Sequence, residues 1–156
     1  MNSVIAAETS VPEFRLRRED GSAFTRADLN GTTTVLVFYP FAFSPVCTDQ
    51  LSLYNEVLDE FTAQGATLYG VSCDASYSQK AFREQLGVNI EQLSDFEPKG
   101  DACRAFGVYH PGGFPQRALV IVGPDGVVRW SYQARSPGEL PGANLIFDGL
   151  DAVASA

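Results

Sequence analysis

The stretch FYPFAFSPVC, residues 38–47, joins a predicted strand to a predicted helix. Residues 32–39 are β-branched and aromatic without regular alternation, which is typical of a strand buried on both faces. Pro40 ends this strand. Ser44 followed by Pro45 indicates a helix N-terminus, because a serine hydroxyl can accept an orphan amide hydrogen bond and proline has no N–H to satisfy at the first helical position.

Cys47 then falls at about the third helical position. Helical periodicity over residues 45–63 places it at the head of an inward-facing stripe that continues with Leu51, Tyr54, Leu58 and Phe61. We expect the thiol to lie in the first turn of this helix, facing the body of the protein. Helix N-terminal amides favour a thiolate, and the Ser44 hydroxyl can donate to the same sulfur, so Cys47 is predicted to be an activated nucleophile.

Arg117 is a charged residue placed immediately before five apolar residues, 118–122. A guanidinium at the start of a buried strand needs an anionic or hydrogen-bonding partner. In a crossover sheet, strand ends and helix starts meet along one edge, where ligands collect. If Arg117 lies there beside Cys47, its strand runs antiparallel to the strand that ends at Tyr39. A fixed cation beside the sulfur favours the thiolate and polarises an incoming oxygen.

The remaining pattern predicts an α/β domain, with a central mixed β-sheet flanked by helices on both faces. The length suits a single domain over residues 1–156. A hairpin is indicated by the turn residues 123–126 between two apolar runs. The predicted strands are 13–17, 32–39, 67–73, 117–122 and 127–132, and the predicted helices are 45–63, 76–86, 99–106 and a terminal helix marked by Ile146, Leu150 and Val153.

Composition excludes several classes of function. Apolar residues make up 45% of the chain and charged residues 19%, which is globular rather than disordered. The net charge of −8 disfavours binding to nucleic acid or to anionic lipid. Apolar runs are far too short to span a membrane, and the N-terminus has no secretory pattern. We therefore expect a soluble, cytoplasmic protein.

Three cysteines, Cys47, Cys73 and Cys103, argue against a disulfide framework because the count is odd. Metal-ligand spacing is also missing, and His110 is the only histidine, so no metal or organic cofactor is predicted. Cys73 ends a predicted buried strand and is expected to be inert packing. Cys103 is the better candidate for a second, resolving cysteine.

These residues resemble the peroxiredoxins. The motif is Pro40-x-x-x-Ser44-x-x-Cys47 after a strand ending in Phe-Tyr-Pro, with Arg117 in the place of the distant arginine of that family. Residues 93–96 and 136–139 are most similar to the alkyl hydroperoxide reductase E type. The resemblance implies a thioredoxin-like fold and reduction of hydrogen peroxide and organic hydroperoxides through a sulfenic acid on Cys47.

The resemblance also implies a role for each neighbour of the thiol. Ser44 and Arg117, with the amides near Val46 and Cys47, hold the peroxide oxygens, and Pro40 shields the sulfur. Ser44 stands where threonine is commoner in the family.

A one-cysteine mechanism is preferred, because the fifth position after Cys47 is Ser52 and the chain lacks the C-terminal extension of longer members. Recycling then needs an external thiol: thioredoxin, glutaredoxin or a low-molecular-weight thiol. A homodimer through the loops around the site is expected. Two alternatives stay open, a thiol–disulfide oxidoreductase and a non-enzymatic redox sensor that uses Cys47 oxidation as a switch; a metal-binding module lacks support from the spacing.

Overall fold

The computed structural model describes residues 3–154. Its strands are β1 (Arg15–Arg18), β2 (Ala23–Thr25), β3 (Thr33–Phe38), β4 (Ala66–Ser72), β5 (Glu91–Ser94), β6 (Tyr109–His110), β7 (Phe114–Pro115), β8 (Ala118–Val122) and β9 (Val128–Gln133). Its helices are α1 (Pro45–Glu56), α2 (Leu58–Ala63), α3 (Ser76–Leu86), α4 (Asp101–Ala105) and α5 (Ala143–Ala154), with a 3₁₀ turn at Arg26–Leu29.

Seven of the strands form one mixed sheet, in the order β2-β1-β5-β4-β3-β8-β9. The three central strands β3, β4 and β5 are parallel, and β8 pairs antiparallel with β3. The expected mixed sheet and the expected direction of β8 are both confirmed. Phe38 is paired with Ala118, so Arg117 enters β8 at the edge of the sheet where β3 ends and the chain turns toward α1.

The two faces of the sheet bury two separate hydrophobic cores. Along β3, Leu36 and Phe38 belong to one core, while Val35 and Val37 belong to the other, as the alternation of a strand requires. The first core packs against α4 and the 3₁₀ turn, and the second packs against α1, α2, α3 and α5. Helices therefore cover both faces, as expected.

The structure differs from the sequence-based expectation in two places. The helix predicted over 45–63 is broken at Val57, whose backbone (φ −114°, ψ 18°) leaves the helical region. Helices α1 and α2 both turn the predicted apolar residues toward the core, so the periodicity of the sequence alone could not reveal the break between them. Strands β2, β5, β6 and β7 were not predicted, because strands of two to four residues seldom show a clear period of two.

Gly149 marks a close approach between α5 and the sheet. A Cβ at this position would lie 2.5 Å from Ile121 Cδ1 and 2.7 Å from Trp130 Cδ2. Alanine normally stabilises a helix by about 1 kcal/mol relative to glycine. Overpacking of this kind costs about 1–3 kcal/mol. We therefore expect Gly149→Ala to lower the free energy of unfolding, measured by urea denaturation.

Ala152→Gly is the matched control, because Ala152 is exposed on the same helix. Its loss is expected to be about 1 kcal/mol from helix propensity alone. A Gly149→Ala protein more stable than the parent would contradict the close packing of α5 on Trp130.

Candidate active site

Cys47 is the third residue of α1, and its side chain is fully buried. Ser44 is the N-cap residue with extended backbone and Pro45 is the first helical residue, as the sequence predicts. The first backbone hydrogen bond of α1 is donated by the Thr48 amide, at 2.9 Å, to the carbonyl of Ser44, which lies just outside the helix. Within residues 3–154, the amides of Val46 and Cys47 have no acceptor. Two unsatisfied N–H groups therefore lie in the turn that carries the thiol.

Arg117 reaches the same turn from the start of β8. Its Nη2 donates to Cys47 Sγ at 3.2 Å, its Nη1 donates to Gln50 Oε1, and its Nε donates to the Pro137 carbonyl at 3.0 Å. The side chain is only 3% exposed. The guanidinium is held on three sides and presents one edge to the sulfur.

No carboxylate among residues 3–154 forms an ion pair with Arg117. Removing a cation from water without a counter-ion costs several kcal/mol. Gln50 and Pro137 offer neutral oxygens, so Cys47 is the only group among the hydrogen-bond partners of Arg117 that can supply negative charge by losing a proton. The sulfur of Cys47 thus lies against a buried cation that has no carboxylate partner among residues 3–154.

Gln50 and Tyr54 extend this network along α1. Gln50 Nε2 donates to the Tyr54 hydroxyl at 3.0 Å, and that hydroxyl donates to the Pro141 carbonyl at 2.6 Å. Burial raises the pKa of Tyr54 to about 12, so the hydroxyl keeps its proton and its donor role at neutral pH. With Nε2 engaged in this way, the Gln50 oxygen is left facing Arg117.

Sequence reasoning missed Gln50 as a functional residue. Gln50 lies one turn after Cys47 on the inward face, and its complete burial is unusual for glutamine. A polar residue on an otherwise apolar helical face was the available signal. Tyr54 was assigned to the core stripe, where it does lie, but the partner of its hydroxyl comes from a distant loop.

That loop, residues 135–141, supplies both carbonyls of the network. Glu139 holds it in place: one carboxylate oxygen accepts from the Tyr132 hydroxyl at 2.5 Å and the other accepts from the Arg135 amide at 2.6 Å. The Tyr132 and Arg135 hydrogen bonds lower the pKa of Glu139 from its ordinary value of 4.5. Glu139 is therefore a positioning residue for the carbonyl of Pro137.

The Ser44 hydroxyl does not make the contacts that the sequence suggested. It donates to the Phe41 carbonyl at 2.8 Å, and it neither caps an α1 amide nor donates to the sulfur. The tight turn from Phe41 to Ser44 explains the difference, because it brings that carbonyl closer than the helix amides. The oxygen of Ser44 keeps its lone pairs free to accept a hydrogen bond.

The loop between β3 and α1 is shaped by three further features. Pro40 is buried at the end of β3, and Val46 is half-buried. The Ala42 amide donates to Asp74 Oδ2 at 2.8 Å, which ties the loop to the end of β4. Phe43 has a φ of +70°, a left-handed conformation that costs a non-glycine residue about 1–2 kcal/mol. The site therefore stores backbone strain directly beside Ser44.

Cys103 does not lie near Cys47. Cys47 belongs to the core beneath α1, whereas Cys73 and Cys103 belong to the core on the opposite face of the sheet. In this conformation the sheet separates the two thiols, and the expectation that Cys103 resolves an oxidised Cys47 stays a prediction. The fold instead gathers Cys73, Cys103 and Asp95, three groups able to bind a metal that the spacing along the chain does not connect.

Comparison with known proteins places this geometry in a family. The AhpC/TSA family model matches residues 7–131, well over half of the chain. The chain belongs to the AhpC/TSA family. The alkyl hydroperoxide reductase E of Mycobacterium bovis is 30% identical over 146 residues, covering 92% of this chain and 95% of the relative. A peroxiredoxin of Thermotoga petrophila is 32% identical over 124 residues, covering 76% of this chain and 58% of the relative.

Solved structures of the AhpC/TSA family agree. The AhpC of Enterococcus faecalis superposes with a TM-score of 0.85 at 26% identity, over 99% of this chain and 94% of that one. The resemblance to the peroxiredoxins and the thioredoxin-like fold are thus confirmed, and this AhpC/TSA member is a peroxidase enzyme. No helix within residues 3–154 has the length and apolar character needed to cross a membrane.

Glu139→Gln tests whether the 135–141 loop depends on a carboxylate. Since the folded-state pKa of Glu139 is lowered, its stabilising effect is present above pH 4.5 and is lost as the pH falls through the folded value. We expect the variant to melt below the parent at neutral pH, and the gap to close as the pH falls below 4.5. Thermal unfolding followed across this range measures the effect.

Glu84→Gln is the control, because Glu84 is exposed on α3 and far along the chain from the loop. A gap between parent and Glu139→Gln that stays constant down to the lowest pH would contradict the assignment.

Proposed function

We propose that this enzyme reduces hydrogen peroxide and organic hydroperoxides by oxidation of Cys47 to a sulfenic acid, and that an external thiol recycles it. The observation that carries the proposal is the contact of 3.2 Å between Arg117 Nη2 and Cys47 Sγ, made by a buried guanidinium that has no carboxylate partner among residues 3–154. A buried thiolate with an adjacent cation is the nucleophile that this chemistry needs.

In the first step the Cys47 thiolate attacks one oxygen of the hydroperoxide. A sulfur–oxygen bond forms, the oxygen–oxygen bond breaks, and the electron pair leaves on the second oxygen, which takes a proton to become water or an alcohol. Cys47 is oxidised to sulfenic acid and the peroxide is reduced. Negative charge moves from sulfur to the leaving oxygen, so donors aimed at both positions lower the barrier.

The donors surrounding the sulfur match this movement of charge. The free amides of Val46 and Cys47 and the Arg117 guanidinium supply N–H groups for the peroxide oxygens. The Ser44 oxygen, whose own proton is engaged by the Phe41 carbonyl, accepts the O–H of the incoming hydroperoxide and so orients it. Pro40, buried next to this turn, limits access of water to the sulfur.

The location of the other two cysteines supports recycling by an external thiol. Neither Cys73 nor Cys103 shares a face of the sheet with Cys47. One thiol attacks the sulfenic acid and releases water, and a second thiol then reduces the mixed disulfide, which returns Cys47 and leaves the reductant oxidised. Thioredoxin, glutaredoxin and low-molecular-weight thiols are the candidate reductants.

Two further expectations stay predictions. A homodimer through the loops around the site is supported by Phe41 and Phe43, aromatic residues on the β3–α1 loop that are 49% and 50% exposed. Exposed apolar side chains in one loop are suited to burial against a second subunit. The cytoplasmic location rests on the sequence alone.

Arg117→Ala removes the cation that balances the thiolate. We expect the second-order rate constant for hydrogen peroxide to fall by about 10²–10³, the usual effect of losing one preorganised donor. We also expect a smaller fraction of thiolate at neutral pH, seen as a loss of thiolate absorbance in the ultraviolet. Stopped-flow fluorescence and a pH series of absorbance spectra measure the two effects.

Cys47→Ser is the inactive reference for both measurements, and Arg129→Ala is the matched control, because Arg129 forms exposed ion pairs on β9. An unchanged rate in Arg117→Ala would remove Arg117 from the mechanism. Fast disulfide reduction with slow peroxide consumption would favour the thiol–disulfide oxidoreductase, and oxidation without turnover under any thiol would favour the redox sensor.

Recycling is tested by identifying the oxidised product. After one equivalent of hydrogen peroxide, we expect a trapped sulfenic acid on Cys47 by mass spectrometry, with no disulfide between Cys47 and Cys103. The Cys103→Ser variant is expected to turn over at the parent rate with an added thiol. A Cys47–Cys103 disulfide, or loss of turnover in Cys103→Ser, would show that the chain rearranges and resolves internally.

A further inference from the structure

A second cluster of reactive groups lies across the sheet from Cys47. Cys73 directly follows β4, Asp95 directly follows β5, and Cys103 lies in α4. Their sulfur atoms and a carboxylate oxygen all lie within 4.8 Å of one another. The residues are 8%, 3% and 0% exposed, respectively. Buried polar groups of this kind are retained in a core only with partners, so the cluster calls for an explanation.

The carboxylate of Asp95 is fixed by the backbone of α4. Oδ1 accepts from the Ala102 amide at 3.1 Å, and Oδ2 accepts from the Cys103 amide at 2.8 Å. Each carboxylate oxygen has a second lone pair, so these bonds orient the group without using up its acceptor capacity. A ligand held by outer hydrogen bonds is the usual arrangement in protein metal centres.

The carboxylate of Asp95 has no ion pair within the described part of the chain. The cluster therefore brings together two sulfurs and one carboxylate, each a possible metal ligand, and none of the ion pairs among residues 3–154 involves that carboxylate.

We propose that Cys73, Asp95 and Cys103 form a binding site for a thiophilic divalent cation, with Zn²⁺ as the representative ion. Two sulfurs and one oxygen are donors that Zn²⁺ prefers, and bonds of about 2.3 Å to sulfur place tetrahedral donors about 3.8 Å apart. The donors need to close by no more than about 1 Å to meet one ion. Binding releases the two thiol protons and leaves a fourth position for water.

The site is independent of peroxide reduction. The sheet separates it from Cys47, and none of its three residues contacts Arg117 or Gln50 in the described structure. The cation would link α4 to the ends of β4 and β5, two strands that already pair in the sheet, whereas the Asp95 side chain joins α4 to this edge through two hydrogen bonds. Its effect is therefore expected on stability rather than on the rate with peroxide.

The test uses the full chain carrying Cys47→Ser, so that the catalytic thiol binds no metal. The reduced, metal-free protein is titrated with Zn²⁺ in competition with a chromophoric chelator, and in parallel with Co²⁺. We expect one ion per chain, a higher unfolding temperature with Zn²⁺, and a thiolate-to-cobalt charge-transfer band with the intensity of two thiolates. The band reports the ligands directly and needs no further variant.

The matched protein adds Cys73→Ser and Cys103→Ser to the same background, and circular dichroism checks its fold. It is expected to lose the charge-transfer band and the stabilisation by Zn²⁺, while the same two changes on the parent chain leave peroxide reduction unchanged. No stoichiometric uptake by the Cys47→Ser protein, a cobalt band without thiolate character, or equal uptake by the protein lacking both thiols would each overturn the proposal.

Discussion

The candidate active site is built around a buried cation that forms no ion pair with any carboxylate in the described part of the chain. Arg117 lies at the entrance to β8, and the carbonyl of Pro137, the amide oxygen of Gln50 and the sulfur of Cys47 accept its hydrogen bonds. A carboxylate in place of Gln50 would pair with the guanidinium and offset the charge that now faces the sulfur of Cys47. The neutral glutamine fixes the geometry of the arginine while leaving its charge to the thiol, which makes the choice of an amide at position 50 a functional one.

The N-terminus of α1 has no side-chain cap from Ser44. A serine at the N-cap normally satisfies a helix amide, yet Ser44 turns its hydroxyl back to the Phe41 carbonyl. The amides of Val46 and Cys47 stay free as a result. The loop also tolerates Phe43 in a left-handed conformation. Helix stability and backbone relaxation are both reduced in the turn whose free amides we propose as donors to the peroxide oxygens.

Much of this arrangement could be predicted from local sequence. The buried strand, the Ser-Pro helix start and the position of Cys47 depend on neighbours along the chain, and the direction of β8 followed from asking where the charge of Arg117 could lie. The partners of Arg117 could not be predicted in the same way. The Pro137 and Pro141 carbonyls come from a loop whose position is set by the carboxylate of Glu139, and backbone carbonyls carry no sequence signal. Gln50 gave a signal, because it is a polar residue buried on an apolar helical face. That signal becomes decisive only once Arg117 is known to lie beside it.

The placement of the cysteines shows the limit of spacing arguments most clearly. Cys103 was the better resolving candidate because it lies in a predicted helix while Cys73 ends a predicted buried strand, but α1 and α4 place Cys47 and Cys103 in opposite cores. The face of the sheet on which a residue lies is a property of the assembled sheet, since a shift of one residue in strand register exchanges the two faces. The same arrangement places one thiol beside Arg117 and two thiols beside Asp95. The sheet thus separates a thiol that contacts a cationic side chain from the pair of thiols for which we propose a bound cation.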